Sequence, residues 1–353
     1  MKRAAFLSIL SSLAIVVACS APAPEAEPET SSLGLPEETR LSNIRQLTFG
    51  GQNAEAYFSF DGEWLSFQSS GEYACDQIYR MRIDGSERHL VSTGTGRTTC
   101  AHYTTDGQSI VYASTHLGGE ACPPEPDFAA LRAYVWPVYD SYDIFKVDVD
   151  GSNLVRLTDT PGYDAEATIG PDGTIVFTSV RDGDMDIYSM DGDGSNVRRL
   201  TNLPGPDGGP FFSADGSKIV FRGRHPGEGE ELDKYKDFLS KALWEPTSLE
   251  VDVMDRDGSN LTQVTNLNGA SFAPYFTRDA SKIIFSSNHH DPSGREFDLF
   301  LVNADGTGLE QVTFSKEFDG FPMFSPDGTK LVFASNRNAS VPGETNLFIA
   351  DWK

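Results

Sequence analysis

The chain has 353 residues, with 28 Lys and Arg against 52 Asp and Glu, a formal net charge of −24. That balance excludes a nucleic-acid binder, which needs basic patches to neutralise phosphate, and favours cationic partners. The length alone would allow two or three domains, but an internal repeat overrides that expectation.

In chain order, the first feature is a targeting segment. Lys2 and Arg3 precede an apolar run from Ala4 to Val16, too short to span a bilayer, and Val16-Val17-Ala18-Cys19 follows. Small residues ending in cysteine resemble the bacterial lipobox, in which the cysteine is acylated. The expectation is a lipoprotein signal over residues 1–19 with Cys19 as the lipidation site. By resemblance to sorting in Gram-negative bacteria, Ser20 in place of Asp points to the outer membrane. Residues 20–40, rich in Pro, Glu, Ala and Ser, read as a disordered tether. The chain would then lie on the periplasmic side, held by acyl chains without a spanning helix.

From residue 41 a unit of about forty residues recurs. An Asp-Gly or Asp-Ala turn leads into an apolar strand six times, at Asp61, Asp106, Asp172, Asp215, Asp279 and Asp327. Glycine accepts the positive φ that tight hairpin turns demand. A third run follows each time, and in the first five units a second turn and a short run come after it, as in Ile187-Tyr-Ser-Met190 before Asp193-Gly194 and then Arg199-Leu-Thr201. Four strands per unit, A to D, make a propeller blade. The final unit stops after its C strand at Trp352, while Ile44–Thr48 reads as a D strand with no A, B or C before it. The expected fold is all-β: a six-bladed propeller of four-stranded blades over residues 41–353. Its orphan D strand would close the last blade and leave no free sheet edge, consistent with a monomer.

The phrases Arg-Leu-Thr, Phe-Ser-Pro-Asp-Gly and Asp-Ile-Tyr-x-Met-Asp-x-Asp-Gly resemble the propeller repeat of the TolB family. The likeness covers roughly residues 41–353. It implies a periplasmic, non-catalytic module that binds a protein or peptide segment in envelope assembly or transport. TolB's separate N-terminal domain and the hydrolase domain that follows propellers in prolyl peptidases have no counterpart in these residues.

The irregular features fall in the B–C and D–A loops, which share one end of the blades. Two B–C loops are expanded, at residues 118–140 in blade 2 and 224–248 in blade 4. Within the second, Glu230–Leu243 has helical spacing, with Leu232, Tyr235, Leu239 and Leu243 on one side and Pro246 after it. Both insertions are expected to wall a groove over the channel mouth. Eight residues before each A–B turn aspartate stand Asn53, Thr98, Asp164, Asp207, Ser271 and Asp319, with Glu55 and Glu166 two residues further on in blades 1 and 3. Asn53, Asp164, Asp207, Asp319, Glu55 and Glu166 form a candidate collar at the channel mouth for a divalent cation or a cationic side chain. The same residues could equally cap their own backbone in Asx turns.

His116, His225 and His289 share another position, ten residues past the turn aspartate, and are candidate metal ligands. A metal-assisted hydrolase or lyase acting on carbohydrate or peptide is therefore the alternative function. No cofactor is required by the first reading, and the pattern contains no nucleophile elbow. Cys75, Cys100 and Cys122 allow one disulfide in an exported protein, and spacing alone leaves the pairing open.

Overall fold

The computed structural model describes residues 33–246, 248–291, 294–316 and 318–353. The expected signal segment, Cys19 and residues 20–32 of the expected tether lie outside them. Six four-stranded antiparallel sheets form a six-bladed β-propeller. Strand B is an apolar run in the interior of each sheet, paired on both sides. Ile219, Val220 and Phe221 in blade 4, like Leu331, Val332 and Phe333 in blade 6, are completely buried. Side chains on both faces of such a strand pack against neighbouring sheets, which is why the run is continuous rather than alternating.

Two small polar devices repeat around the ring. At each A–B turn the aspartate carboxylate accepts the N–H two residues on, from Glu63, Gln108, Thr174, Ser217, Ser281 and Thr329. After each D strand a hydroxyl accepts the N–H of the second residue of strand C. The hydroxyls are Ser92, Thr158, Thr201, Thr265 and Thr313, each at 2.9 Å. Thr48 makes the sixth such bond, to Leu347 at 2.9 Å. Around it Leu41–Gln46 lies antiparallel along Asn346–Trp352, the C strand of blade 6. The threonine of each Arg-Leu-Thr phrase therefore satisfies a buried backbone donor, which would otherwise cost about 1–3 kcal/mol.

Order begins earlier than expected. From Leu33 the chain folds onto the propeller, and Glu38, 3% exposed, places both carboxylate oxygens on the Arg337 guanidinium at 2.9 and 3.1 Å. Residues 33–40 are thus not tether; a buried arginine with a free side toward them holds Glu38 in place.

The helix in the second insertion spans Glu230–Leu239, shorter than its apolar spacing predicts. Ala242 takes a left-handed φ of 56°, and Leu243–Trp244 leaves the helix as a strand. Among the described residues no helix is long and apolar enough to cross a membrane.

Candidate functional site

Each strand A carries a bulge. Glu55, Cys100, Glu166, Gly209, Ala273 and Phe321 take left-handed φ values between 49° and 60°. Pairing with strand B slips at that point in all six sheets. A bulge sets two residues against one and re-aims the side chains that follow. These six residues, one from each blade, line a single cavity of ≈ 50 Å³. At roughly 10–15 Å³ per water centre, such a space holds a few waters and no peptide.

Polar groups from four blades converge there. Glu55 Oε2 accepts the N–H of Cys100 at 3.1 Å, and burial pushes both the Glu55 carboxyl and the Cys100 thiol up. Glu166 accepts Arg222 Nη2 at 2.6 Å, the Thr178 hydroxyl at 2.7 Å and the Gly209 N–H at 2.8 Å. Gly209 and its neighbour Gly208 are required here: a β-carbon on either would lie within 2.6 Å of the Arg222 guanidinium.

Above this pair the two insertions meet instead of walling an open groove. Trp136–Pro137 from blade 2 pairs antiparallel with Leu243–Trp244 from blade 4. The two indoles meet edge to face at 5.5 Å, and Arg222 lies 5.9 and 5.4 Å beneath them. Trp244 is 3% exposed, and Trp136 lines the axial cavity. A Cys75–Cys122 disulfide ties the blade 1 loop to the root of the first insertion, while Cys100 keeps a buried free thiol.

The collar expected from the leading residues of strand A is not formed. Because the bulge lies two residues beyond them, Asn53, Thr98, Asp164, Asp207, Ser271 and Asp319 turn into the blades and are all at most 1% exposed. Asn53 bonds Gly50 O and the Ser69 hydroxyl. Asp164 takes Arg181 Nη2 on both oxygens at 2.9 Å, and Asp319 takes Arg337 Nη2 at 2.9 Å. Of the expected set only Glu55 and Glu166 reach the axial cavity.

The three histidines are not brought together either. Each stands two residues beyond the last residue of a B strand, where blades 3 and 6 have Arg181 and Arg337, and each serves its own blade. His116 packs on Phe145 at 4.5 Å and His289 on Phe300 at 4.4 Å, with burial pulling both pKa values down. His225 instead places Nε2 2.8 Å from Asp207 Oδ1. Burial opposes its charge, but the hydrogen bond and charge of Asp207 win and raise its pKa. Nearby, burial pushes the carboxyl of Asp252 up to about 7. His102 is buried among Tyr57, Phe60 and Phe211, and burial pulls it down to about 4.

Elsewhere His290, Glu296 and Asp298 bring one donor atom each within 4.8 Å. Both Asp298 oxygens already accept hydrogen bonds, from Thr313 and Gln311. Arg222 and the paired tryptophans escaped sequence reasoning, because nothing local announces that residues about a hundred positions apart will stack.

The profile of the TolB beta propeller domain matches residues 125–237. Among solved structures, TolB from Acinetobacter baumannii superposes with TM-score 0.54 at 18% identity, over 76% of this chain and 55% of that one. A TolB candidate from Agrobacterium tumefaciens gives TM-score 0.58 at 18% identity, over 88% of this chain and 97% of that one. An oligogalacturonate lyase in complex with manganese gives 0.53 at 16% identity, over 87% of this chain and 79% of that one. The chain thus spans about half the length of the Acinetobacter protein, and at these identities the likeness is one of fold. Repeat phrases, six four-stranded blades and the profile match agree: the chain carries a TolB-like β-propeller.

Proposed function

We propose that this protein is a lipid-anchored propeller on the periplasmic side of the envelope, probing partners with the end of the ring that carries its B–C and D–A loops. One observation carries the reading. Phe49, Tyr73, Leu117, Phe128, Tyr134 and Val341 are large apolar side chains left exposed, and all six stand in loops at that end. Exposed aromatic side chains are the kind of anchor that protein interfaces use. Phe128 and Tyr134 stack on each other at 6.3 Å in the first insertion, which the disulfide anchors. Pre-ordering of this kind lowers the cost of binding. The formal charge of −24 selects a partner segment of cationic character.

With an axial cavity of only ≈ 50 Å³, the ring does not thread its partner; recognition takes place on the paired insertions and their surrounding loops. The three histidines that suggested a metal-dependent lyase stand in separate blades, so the binding reading is favoured. The test is capture from envelope extract by the wild-type chain and by the Phe128→Ala, Tyr134→Ala double variant. Loss of a specific captured protein in the variant supports the proposal. An unchanged capture profile with the folded variant sinks it.

A further inference from the structure

Blade 4 departs from its neighbours in what surrounds the side chain ten residues past the turn aspartate. In four other blades that side chain lies on the aromatic third residue of strand C: His116 on Phe145 at 4.5 Å, Arg181 on Tyr188 at 5.0 Å, His289 on Phe300 at 4.4 Å and Arg337 on Phe348 at 6.0 Å. In blade 4 the third residue of strand C is Asp252. The leading residue of strand A matters as well. Where it is neutral, at Thr98 and Ser271, the blade carries a histidine whose pKa burial pulls down. Where it is a buried aspartate, at Asp164 and Asp319, the partner is an arginine, whose charge is permanent. Blade 4 alone sets a buried aspartate, Asp207, against a histidine, the side chain that gains and loses its charge near neutrality.

His225 Nε2 lies 2.8 Å from Asp207 Oδ1, and Asp207 and Asp252 are both at most 1% exposed. The last residue of strand B here is Gly223. A β-carbon on it would sit 2.5 Å from Asp252 Oδ2, 2.8 Å from Asp207 Oδ1 and 3.3 Å from His225 Cε1, so the missing side chain lets all three groups gather about one point. The other charged groups around them are engaged. Asp184 accepts the Tyr235 hydroxyl and the N–H of Gly205, and Asp186 pairs with Arg199. Glu250 accepts the Thr265 hydroxyl and two backbone N–H groups, and Arg224 pairs with Glu231. Among the described residues His225 is therefore the one cation left to face two buried carboxylates. Without its charge they stand uncompensated, which a protein interior tolerates poorly.

We propose that blade 4 carries a proton-operated latch: protonated His225 holds the root of the 224–248 insertion against Asp207 and Asp252, and loss of that proton releases it. His225 is the second residue of the insertion, so the ion pair is made where the chain leaves strand B. Folding binds protons at this point. Burial opposes the charge on His225, but Asp207 outweighs it and raises its pKa, while burial raises Asp207 and pushes Asp252 up to about 7. The stability these protons supply is present in acid and is lost as pH rises through about 7. Blades 3 and 6 lack such a latch, because a guanidinium keeps its proton throughout this range. The latch stands whatever the loops at this end bind.

Hydrogen exchange on the full chain, corrected for the intrinsic pH dependence of exchange, tests the latch. Between about pH 6 and about pH 8.5 the amides of residues 224–248 should lose about tenfold in protection, while the corresponding loop of blade 6, residues 336–345, keeps its own. His225→Arg copies blades 3 and 6 and should hold the insertion protected at both pH values. His225→Gln should leave it poorly protected at both. Asp207→Asn removes the buried charge and should also flatten the pH dependence, which keeps the test open if His225→Arg does not fold by circular dichroism. Equal protection of the wild-type insertion at the two pH values overturns the latch. So does a loss as large in the folded variants His225→Arg or Asp207→Asn as in wild type, which would place the titrating group elsewhere.

Discussion

Blades 4 and 6 solve the same problem in opposite ways. In blade 6 the buried Asp319 meets Arg337 and the Ser315 hydroxyl. Arg337 in turn lies 5.0 Å from the Phe333 ring and is gripped by Glu38. Each charged group there has an ion-pair partner contributed by the chain, although Asp319 Oδ1 accepts no hydrogen bond. In blade 4 the corresponding aspartate faces a histidine, a second carboxylate and a glycine. The comparison teaches that a buried aspartate at this position needs a cationic partner, which blade 6 supplies with an arginine and blade 4 with a histidine.

The largest effect should come from emptying the filled blade. Arg337→Ala strands Asp319 and Glu38 in the interior, and loss of one partner from a buried ion pair costs about 3–5 kcal/mol. Urea unfolding would read this, and a loss under about 1 kcal/mol would mean that blade 6 does not depend on its internal cation. Gly223→Ser gives blade 4 the residue of its neighbours and forces a β-carbon against Asp252 and Asp207. Overpacking of that kind costs about 1–3 kcal/mol. A neutral or stabilising result would show that the two carboxylates do not converge as described. The reverse exchange, Ser335→Gly, removes the hydroxyl that accepts from Arg337 N and Nε at 3.0 and 3.1 Å, and should cost about 1 kcal/mol.

Blade 5 supplies a pH arm. Burial pushes the Asp298 carboxyl up to about 7, above its ordinary value of 3.8. The folded state therefore holds a proton that the unfolded state has released, and this contribution to stability is complete below about pH 4 and is lost as pH rises through about 7. Tm measured across that window should fall less steeply in Asp298→Asn than in wild type. Parallel slopes would mean that Asp298 is ionised in the folded chain throughout.

Much of the architecture was legible because it is built from short-range chemistry. The Asp-Gly turns, the apolar B strands and the Arg-Leu-Thr phrases each report their local structure, and their repetition supplies the number of blades. The odd blade is also visible once blades are aligned, since Asp252 falls where five others have an aromatic ring. The channel was misplaced by two residues for a definite reason. Nothing in Asn53-Ala-Glu55 or Asp164-Ala-Glu166 distinguishes an ordinary strand from one with a left-handed bulge residue, and the bulge decides which side chain faces the axis.

What residue order alone determined is therefore the set of strands, their turns and the count of sheets, because those depend on neighbours within a few positions. The fold decided the joins between distant segments that no repeat announces: Trp136 on Trp244, Cys75 to Cys122 and Glu38 on Arg337. Such contacts depend on where the backbone carries each side chain, and a single change of φ at a bulge is enough to move a carboxylate from the axis to the interior of a blade.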